Sequence, residues 1–128
     1  MPLIDRTIEP VLRTLAGQYP VVTITGPRQS GKTTLSRKVF PDKPYANLEA
    51  PDVRQFALDD PRGFLAQYPQ GAVLDEIQRA PDLVSYLQPL VDEDRREGLF
   101  ILTGSQQFEV SHTISQSLAG RTALVKLL

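Results

Sequence analysis

The chain has no cysteine and no tryptophan among its 128 residues, and only one histidine. Without cysteine it can form neither disulfides nor thiolate metal sites, which fits a reducing compartment and predicts a cytoplasmic protein. No apolar run approaches the length of a membrane-spanning helix, so we expect no membrane partner. The net charge of -1, with no long block of one sign, argues against a broad basic face and leaves nucleic acid only a local patch to bind.

What the chain does have is a glycine-flanked loop between two apolar segments. Residues 26–33 read GPRQSGKT, which fits G-x-x-x-x-G-K-[ST], the phosphate-binding P-loop. An apolar, β-branched run precedes the loop at residues 21–25, and a helical pattern with Leu35 and Val39 follows it. The motif therefore stands in the strand–loop–helix setting that it requires, which indicates a nucleotide site rather than a chance match in a glycine turn.

The residue types of this loop suit a bound triphosphate. Glycine has no Cβ, so backbone N–H groups beside Gly26 and Gly31 can turn inward around an anion. Lys32 can place its ammonium on the β- and γ-phosphates, and the Thr33 hydroxyl can bind Mg²⁺. The predicted nucleotide-binding residues are Gly26, Pro27, Arg28, Gln29, Ser30, Gly31, Lys32, Thr33 and Thr34, together with Ser105 from a later turn.

Strand-like and helix-like patterns alternate along the chain, which predicts one α/β domain over residues 1–128 with a mainly parallel sheet. An apolar stripe predicts an N-terminal helix from about Pro10 to Ala16, ended by Gly17. Further helices are predicted after the P-loop as far as Phe40, from Pro51, from Pro61, from Pro81 to Gly98, and over about 107–118. Predicted strands cover about 20–25, 45–49, 71–74, 99–103 and 122–128. Because the chain stops at an apolar strand, we expect a fragment of a longer protein.

Two acidic residues, Asp75 and Glu76, follow the third apolar strand. A P-loop enzyme that hydrolyses its nucleotide also needs a held metal and an oriented water. Asp75 can bind Mg²⁺, and Glu76 can take a proton from the attacking water. The alternative interpretation of the pair is an acidic cap for the helix that follows.

Two later residues are weaker candidates for the same site. Ser105 follows the fourth strand, and ligands of open α/β sheets bind at the carboxyl ends of strands, so Ser105 could report the γ-phosphate. A plain polar turn is the alternative. Arg121 stands between the last helix and the last strand, where it could compensate phosphate charge in its own subunit or in a neighbour's. A helix-end cation is the alternative for Arg121.

Four segments together resemble the prokaryotic AAA-like ATPases, whose AAA domain normally precedes a C-terminal domain of unknown function. They are VVTITGPRQSGKTTL (21–35), VLDEIQRAP (73–81), FILTGSQ (100–106) and SLAGR (117–121). The resemblance implies a three-layer P-loop fold, with a five-stranded sheet in the order 5-1-4-3-2 and helices on both faces. It also implies that ATP and Mg²⁺ are the ligands and that the C-terminal domain is missing here.

The resemblance implies roles for single residues as well. Lys32 and Thr33 match the phosphate-binding and magnesium-binding positions of the family. Asp75 and Glu76 match the positions that coordinate the metal and activate water. Arg121 matches an arginine finger that acts across a subunit contact, which would require self-association. Ser105 falls on a sensor position where related AAA ATPases more often carry asparagine.

The expected function is Mg²⁺-dependent ATP hydrolysis, with Glu76, Lys32 and Arg121 as the catalytic residues. An ATP-dependent binding switch with little turnover is an alternative, in which Glu76 is structural. A small-molecule kinase is another, although no arginine-rich lid segment is evident and the acidic pair favours water as the acceptor. A GTPase is disfavoured because no Asn-Lys-x-Asp motif follows the fourth strand.

Overall fold

The computed structural model describes residues 2–27, 31–94, 96–105, 116 and 118–127, with side chains from residue 8 onward. The helices are α1 (Pro2–Ala16), α2 (Lys32–Val39), α3 (Pro51–Asp59), α4 (Pro61–Ala66) and α5 (Leu83–Glu93). The strands are β1 (Val21–Thr25), β2 (Tyr45–Asn47), β3 (Ala72–Asp75), β4 (Phe100–Gly104) and β5 (Thr122–Lys126), and a 3₁₀ turn covers Ile77–Arg79. None of the described helices is both long and apolar enough to cross a membrane.

The five strands form one parallel sheet in the order β2-β3-β4-β1-β5. This confirms the predicted order, which is the same sequence of strands counted from the other edge. Val21 of β1 lies opposite Phe100 of β4 and opposite Thr122 of β5, so these strands begin at one level. The carboxyl ends of all five strands consequently lie along one side of the sheet, which we call the carboxyl edge. The P-loop leaves β1 at this side.

Apolar side chains fill both faces of the sheet. Successive side chains of a strand point to opposite faces, and the central strands divide their residues in this way. Val22, Ile24, Val73 and Ile101 pack with Leu12 of α1 and Leu35 of α2. Val21, Leu74, Phe100 and Leu102 pack on the other face with residues of α3, α4 and α5, among them Ala57, Phe64 and Leu87. The continuous apolar runs of the sequence are thus strands covered on both sides, which gives the three predicted layers.

Helix α1 begins earlier than predicted. It starts at Pro2 rather than near Pro10, and Pro10 lies exposed within it. A proline inside a helix loses one hydrogen bond and crowds the preceding turn, at a cost of roughly 3 kcal/mol. Leu12 is fully buried against the sheet, and Ile8 and Leu15 pack beside it. The packing of apolar side chains on both sides of Pro10 offsets this cost, so the helix continues through the proline.

Helix α5 is shorter than predicted. It begins at Leu83 instead of Pro81 and ends at Glu93 instead of running to Gly98. Asp94 leaves the helix with an extended backbone, and its carboxylate receives the Arg96 guanidinium at 2.9 and 3.0 Å. The same guanidinium donates to the Pro69 carbonyl oxygen at 2.6 Å. Arg96 therefore binds the loop after α4, through a contact that helical periodicity does not encode.

Two smaller differences concern the other elements. The 3₁₀ turn Ile77–Arg79 was not predicted, and it occupies the segment between Glu76 and the long helix. Strands β2 and β5 end at Asn47 and Lys126, short of the predicted ends at 49 and 128. The helix predicted over about 107–118 lies almost wholly outside the described residues.

Gly71, which directly precedes β3, lies very close to the backbone of Leu99. Its φ is +83°, and a Cβ built there would lie 1.6 Å from the Leu99 carbonyl oxygen. We expect Gly71→Ala to lower the free energy of unfolding by roughly 3 kcal/mol, because strain at positive φ adds to displacement of the neighbouring backbone. Urea unfolding followed by circular dichroism measures this change.

Gly120→Ala is the matched control. Gly120 has a similar φ of +76°, but no atom of the described residues lies within 4 Å of its Cβ position. The control should cost only the conformational penalty, about 1 kcal/mol. Equal losses in the two variants would show that the close approach of Gly71 to Leu99 is unimportant.

Candidate functional site

The P-loop leaves β1 at the carboxyl edge of the sheet. The Gly26 N–H donates to the Gly104 carbonyl oxygen at 3.2 Å, which joins the start of the loop to the end of β4. Gly31 turns the chain into α2 with φ +85° and ψ 17°, a left-handed conformation that favours glycine. Pro27 and Thr34 are exposed, whereas Arg28, Gln29 and Ser30 lie outside the described residues. The loop thus ends where the N-terminal amides of α2 begin.

The Lys32 side chain is buried beside Pro27. Only 4% of it is exposed, and its ammonium donates to the Pro27 carbonyl oxygen at 3.2 Å. Its Nζ lies 4.0 Å from Glu76 Oε2. A buried cation is costly unless other groups compensate its charge. The first residue of α2 therefore places a positive charge between the loop and the acidic end of β3.

The Asp75 carboxylate is buried and receives hydroxyl groups from three elements. Thr33 of α2 donates to it, with distances of 3.1 Å to Oδ1 and 2.9 Å to Oδ2. Tyr45 of β2 donates to Oδ2, and Thr103 of β4 donates to Oδ1. Hydrogen bonds to a charged acceptor are the strong ones, and a buried carboxylate needs them. Hydrogen bonds from β2 and β4, the strands on either side of β3, therefore hold Asp75 against α2.

Sequence reasoning missed Tyr45 and Thr103. Their positions follow from the sheet order, because β2 and β4 flank β3. Asp75 lies on the same face as Val73, and both Tyr45 and Thr103 reach that face. Burial, followed by the hydrogen bond to Asp75, raises the pKa of the Tyr45 hydroxyl above its usual range. The sequence signal for these two residues was a polar side chain on each strand that neighbours β3. This signal could be used only once the strand order was known.

Glu76 has a backbone conformation that is unusual for a residue with a side chain. Its φ is 62° and its ψ is 55°, a left-handed conformation that costs about 1–3 kcal/mol outside glycine and clusters at functional sites. Its N–H donates to Thr103 Oγ1 at 3.1 Å, and its carboxylate accepts a bond from Gln78 Nε2 at 2.5 Å. The two adjacent carboxylates are thus held by different partners, Asp75 beside Thr33 and Glu76 beside Gln78 and Lys32.

Ser105 lies at the same edge as the P-loop, directly after β4. Its N–H donates to Gln78 Oε1 at 3.2 Å. Its hydroxyl is buried and finds no hydrogen-bond partner within the described part of the chain. Ser105 is therefore linked to the acidic end of β3 through Gln78.

Arg121 lies at the amino ends of the strands, which we call the amino edge, whereas the P-loop lies at the carboxyl edge. It directly precedes β5, whose first residue Thr122 is level with Val21 at the start of β1. Its guanidinium pairs with Asp92 at 2.6 and 3.0 Å, and this hydrogen bonding raises the pKa of Arg121. The structure thus brings Lys32, Thr33, Asp75, Glu76 and Ser105 together and leaves Arg121 apart.

The oxygen atoms at this edge fit a magnesium ion that arrives with a nucleotide. The Thr33 hydroxyl and the Asp75 carboxylate adjoin at 2.9 Å, so both could face one cation. Among the described residues, no group of three or more His, Cys, Asp or Glu could hold a metal by itself. Mg²⁺ usually takes one or two protein ligands and fills its other positions with substrate phosphates and water, which agrees with this sparse set.

Comparison with known proteins places the chain in a family. The profile of a family described as AAA domain matches residues 18–128. Uncharacterized proteins Mb2031c of Mycobacterium bovis and Rv2008c of Mycobacterium tuberculosis are each 41% identical to the chain over 117 residues. These matches cover 91% of this chain but 26% of each relative, so the chain spans about a quarter of the length of those proteins.

Three solved structures share the fold. One is described as a DNA replication initiation factor, with a TM-score of 0.61 and 14% identity, and the match covers 98% of this chain and 45% of that one. A Walker-type ATPase of Pyrococcus abyssi gives 0.61 and 17%, with 95% and 53% covered. A signal-transduction ATPase of Pyrococcus horikoshii with a tetratricopeptide repeat sensor gives 0.54 and 14%, with 95% and 22% covered.

Identities this low carry the fold alone, whereas the family profile covers most of the chain and includes both the P-loop and the acidic pair. The chain belongs to the AAA-domain family and is a P-loop ATPase module.

Proposed function

We propose that this module binds ATP with Mg²⁺ and hydrolyses it at the edge where the P-loop meets the end of β3. The observation that carries the proposal is the contact between the two motifs: Thr33 Oγ1 lies 2.9 Å from Asp75, and Lys32 Nζ lies 4.0 Å from Glu76. Membership of the AAA-domain family supports ATP as the nucleotide. Residues 26–34 are the proposed phosphate-binding loop.

Lys32 and the start of α2 would bind the phosphates. The Lys32 ammonium bonds to the neutral Pro27 carbonyl oxygen, a weaker acceptor than a phosphate oxygen. An incoming phosphate would take over this ammonium without exposing it to water, because the side chain is already buried. The N-terminal amides of α2, which follow Gly31, would add donors and the positive end of the helix dipole.

Thr33 and Asp75 would hold the metal. Their oxygen atoms are hard ligands, and the Tyr45 and Thr103 hydroxyls keep the Asp75 carboxylate in place. When bound, Mg²⁺ neutralises charge on the β- and γ-phosphates. The protein thus supplies a preorganised pair of ligands and leaves the remaining positions to the nucleotide and water.

Glu76 would act as the general base. Its carboxylate lies close to Lys32, and therefore close to the expected γ-phosphate, where an attacking water would sit. Ser105 would respond to the γ-phosphate from the turn after β4. Arg121 would contribute to the site of a neighbouring copy, because it lies at the other edge of its own sheet.

A switch with little turnover is the second candidate, and a small-molecule kinase is the third. The contacts of Glu76 with Gln78 and Lys32 would also suit a glutamate that only stabilises the site. The kinase is disfavoured because the acidic pair of Asp75 and Glu76 favours water as the acceptor. Replacing Glu76 separates the hydrolase from the switch.

The first test of the site is Lys32→Ala. The variant removes the cation that would pair with the phosphates, and we expect ATP binding to weaken by about 2–5 kcal/mol. Isothermal titration with ATP and Mg²⁺ measures the change. Lys38→Ala is the control, since Lys38 lies on the same helix but is exposed and pairs with Glu9 at 2.9 Å. Equal ATP affinity in Lys32→Ala and the unmodified chain would refute the phosphate site.

The second test is Glu76→Gln. The amide cannot accept the proton of the attacking water, so single-turnover hydrolysis should slow by about 10²–10⁴-fold while ATP still binds. Phosphate release in a single turnover measures the rate, and titration measures the affinity. Glu97→Gln, at an exposed position before β4, should leave both unchanged. An unchanged rate in Glu76→Gln would remove the support for the base and favour the switch.

A further inference from the structure

Gln78 is bonded at both ends of its side-chain amide. It lies in the 3₁₀ turn after β3 and is half-buried. Its Nε2 donates to Glu76 Oε1 at 2.5 Å, and its Oε1 accepts the Ser105 N–H at 3.2 Å. A carboxylate can only accept and a backbone N–H can only donate, so these partners define which end of the amide is the oxygen. The amide consequently has one orientation that satisfies both neighbours.

This amide fixes the orientation of the Glu76 carboxylate. A glutamate side chain rotates about three bonds, and ordering it has an entropic cost that the Gln78 bond offsets. With Oε1 held by Gln78, Oε2 is left facing Lys32 at 4.0 Å. Without Gln78, the carboxylate would be free to close on the Lys32 ammonium. Such an ion pair would occupy both the proposed base and the proposed phosphate ligand.

The end of β4 contacts the acidic pair by two separate routes. The Thr103 hydroxyl contacts the Asp75 carboxylate and the Glu76 N–H. The Ser105 N–H contacts Gln78, which contacts the Glu76 carboxylate. Thr103 thus fixes the backbone of Glu76, whereas Gln78 connects its carboxylate to the following turn. A displacement of Ser105 would pull on the amide and turn the carboxylate.

From these contacts we infer that Gln78 is a positioning residue for hydrolysis and the link between Ser105 and the Glu76 carboxylate. The inference rests on the proposed function and adds a residue to it. Gln78 does not touch the reacting atoms; it holds the carboxylate that does. Its removal should therefore slow hydrolysis without weakening ATP binding, because Lys32 and Thr33 do not contact it in the described hydrogen-bond network.

Two substitutions of Gln78 test this role in the 128-residue chain. Gln78→Ala removes both hydrogen bonds, and we expect kcat to fall about tenfold with the KM for ATP unchanged, since only part of general-base catalysis is lost. Gln78→Glu keeps the shape and the acceptor for Ser105 but turns a carboxylate oxygen toward Glu76. It should lower kcat at least as much. Gln55→Ala, on an exposed turn of α3 where Gln55 bonds to Asp59 at 2.9 Å, should change neither constant.

A double substitution separates positioning from a general structural effect. If Gln78 acts through Glu76, then Gln78→Ala should cause no further loss in a Glu76→Gln background. Urea midpoints of all variants show whether they are folded. An unchanged kcat in both Gln78 variants, or an equal loss in the two backgrounds, would overturn the inference and leave the proposed function standing. If Glu76→Gln itself left the hydrolysis rate unchanged, both the inference and the proposed function would be overturned.

Discussion

The buried Asp75 carboxylate is the constraint on which the site depends. A carboxylate in the interior must be compensated, and here hydroxyl groups from α2, β2 and β4 converge on it. Each of these groups comes from a different segment of the chain. Satisfying one charge therefore fixes the P-loop helix, the edge strand β2 and the central strand β4 around the end of β3. The same bonds that make the burial tolerable preorganise the oxygen atoms that a metal would need.

The parallel sheet divides the molecule into two edges with different chemistry. Each parallel strand returns through a crossover, so all loops that follow strands lie at the carboxyl edge. Glu76 and Ser105 lie there because each directly follows a strand. Lys32 lies there because it begins the helix that follows the P-loop. Arg121 precedes a strand and lies at the amino edge, paired with Asp92. This position of Arg121 is the reason for proposing that it acts at the site of a neighbouring copy.

The conformation of the acidic pair is fixed by backbone contacts as well as by side-chain contacts. Glu76 adopts a left-handed conformation, and its N–H is held by Thr103 while its carboxylate is held by Gln78. Such a conformation is unfavourable in isolation, so surrounding bonds must maintain it. It allows adjacent carboxylates to separate, with Asp75 against Thr33 and Glu76 against Gln78. The surface ion pairs, such as that of Arg13 and Glu9 at 3.4 Å, add little by comparison.

The sequence by itself determined the P-loop, the α/β class, the approximate strands and the acidic pair at the end of β3. These are local signals, because a motif or a hydrophobic period is complete within one segment. The family resemblance added the sheet order. Only the tertiary structure revealed Tyr45, Thr103 and Gln78 as partners of the acidic pair, the early start of α1, the early end of α5 and the position of Arg121 at the far edge. Most of these depend on contacts between segments distant in the chain, such as those of Arg96 with Pro69 and of Gln78 with Ser105, and such contacts exist only once the sheet is assembled.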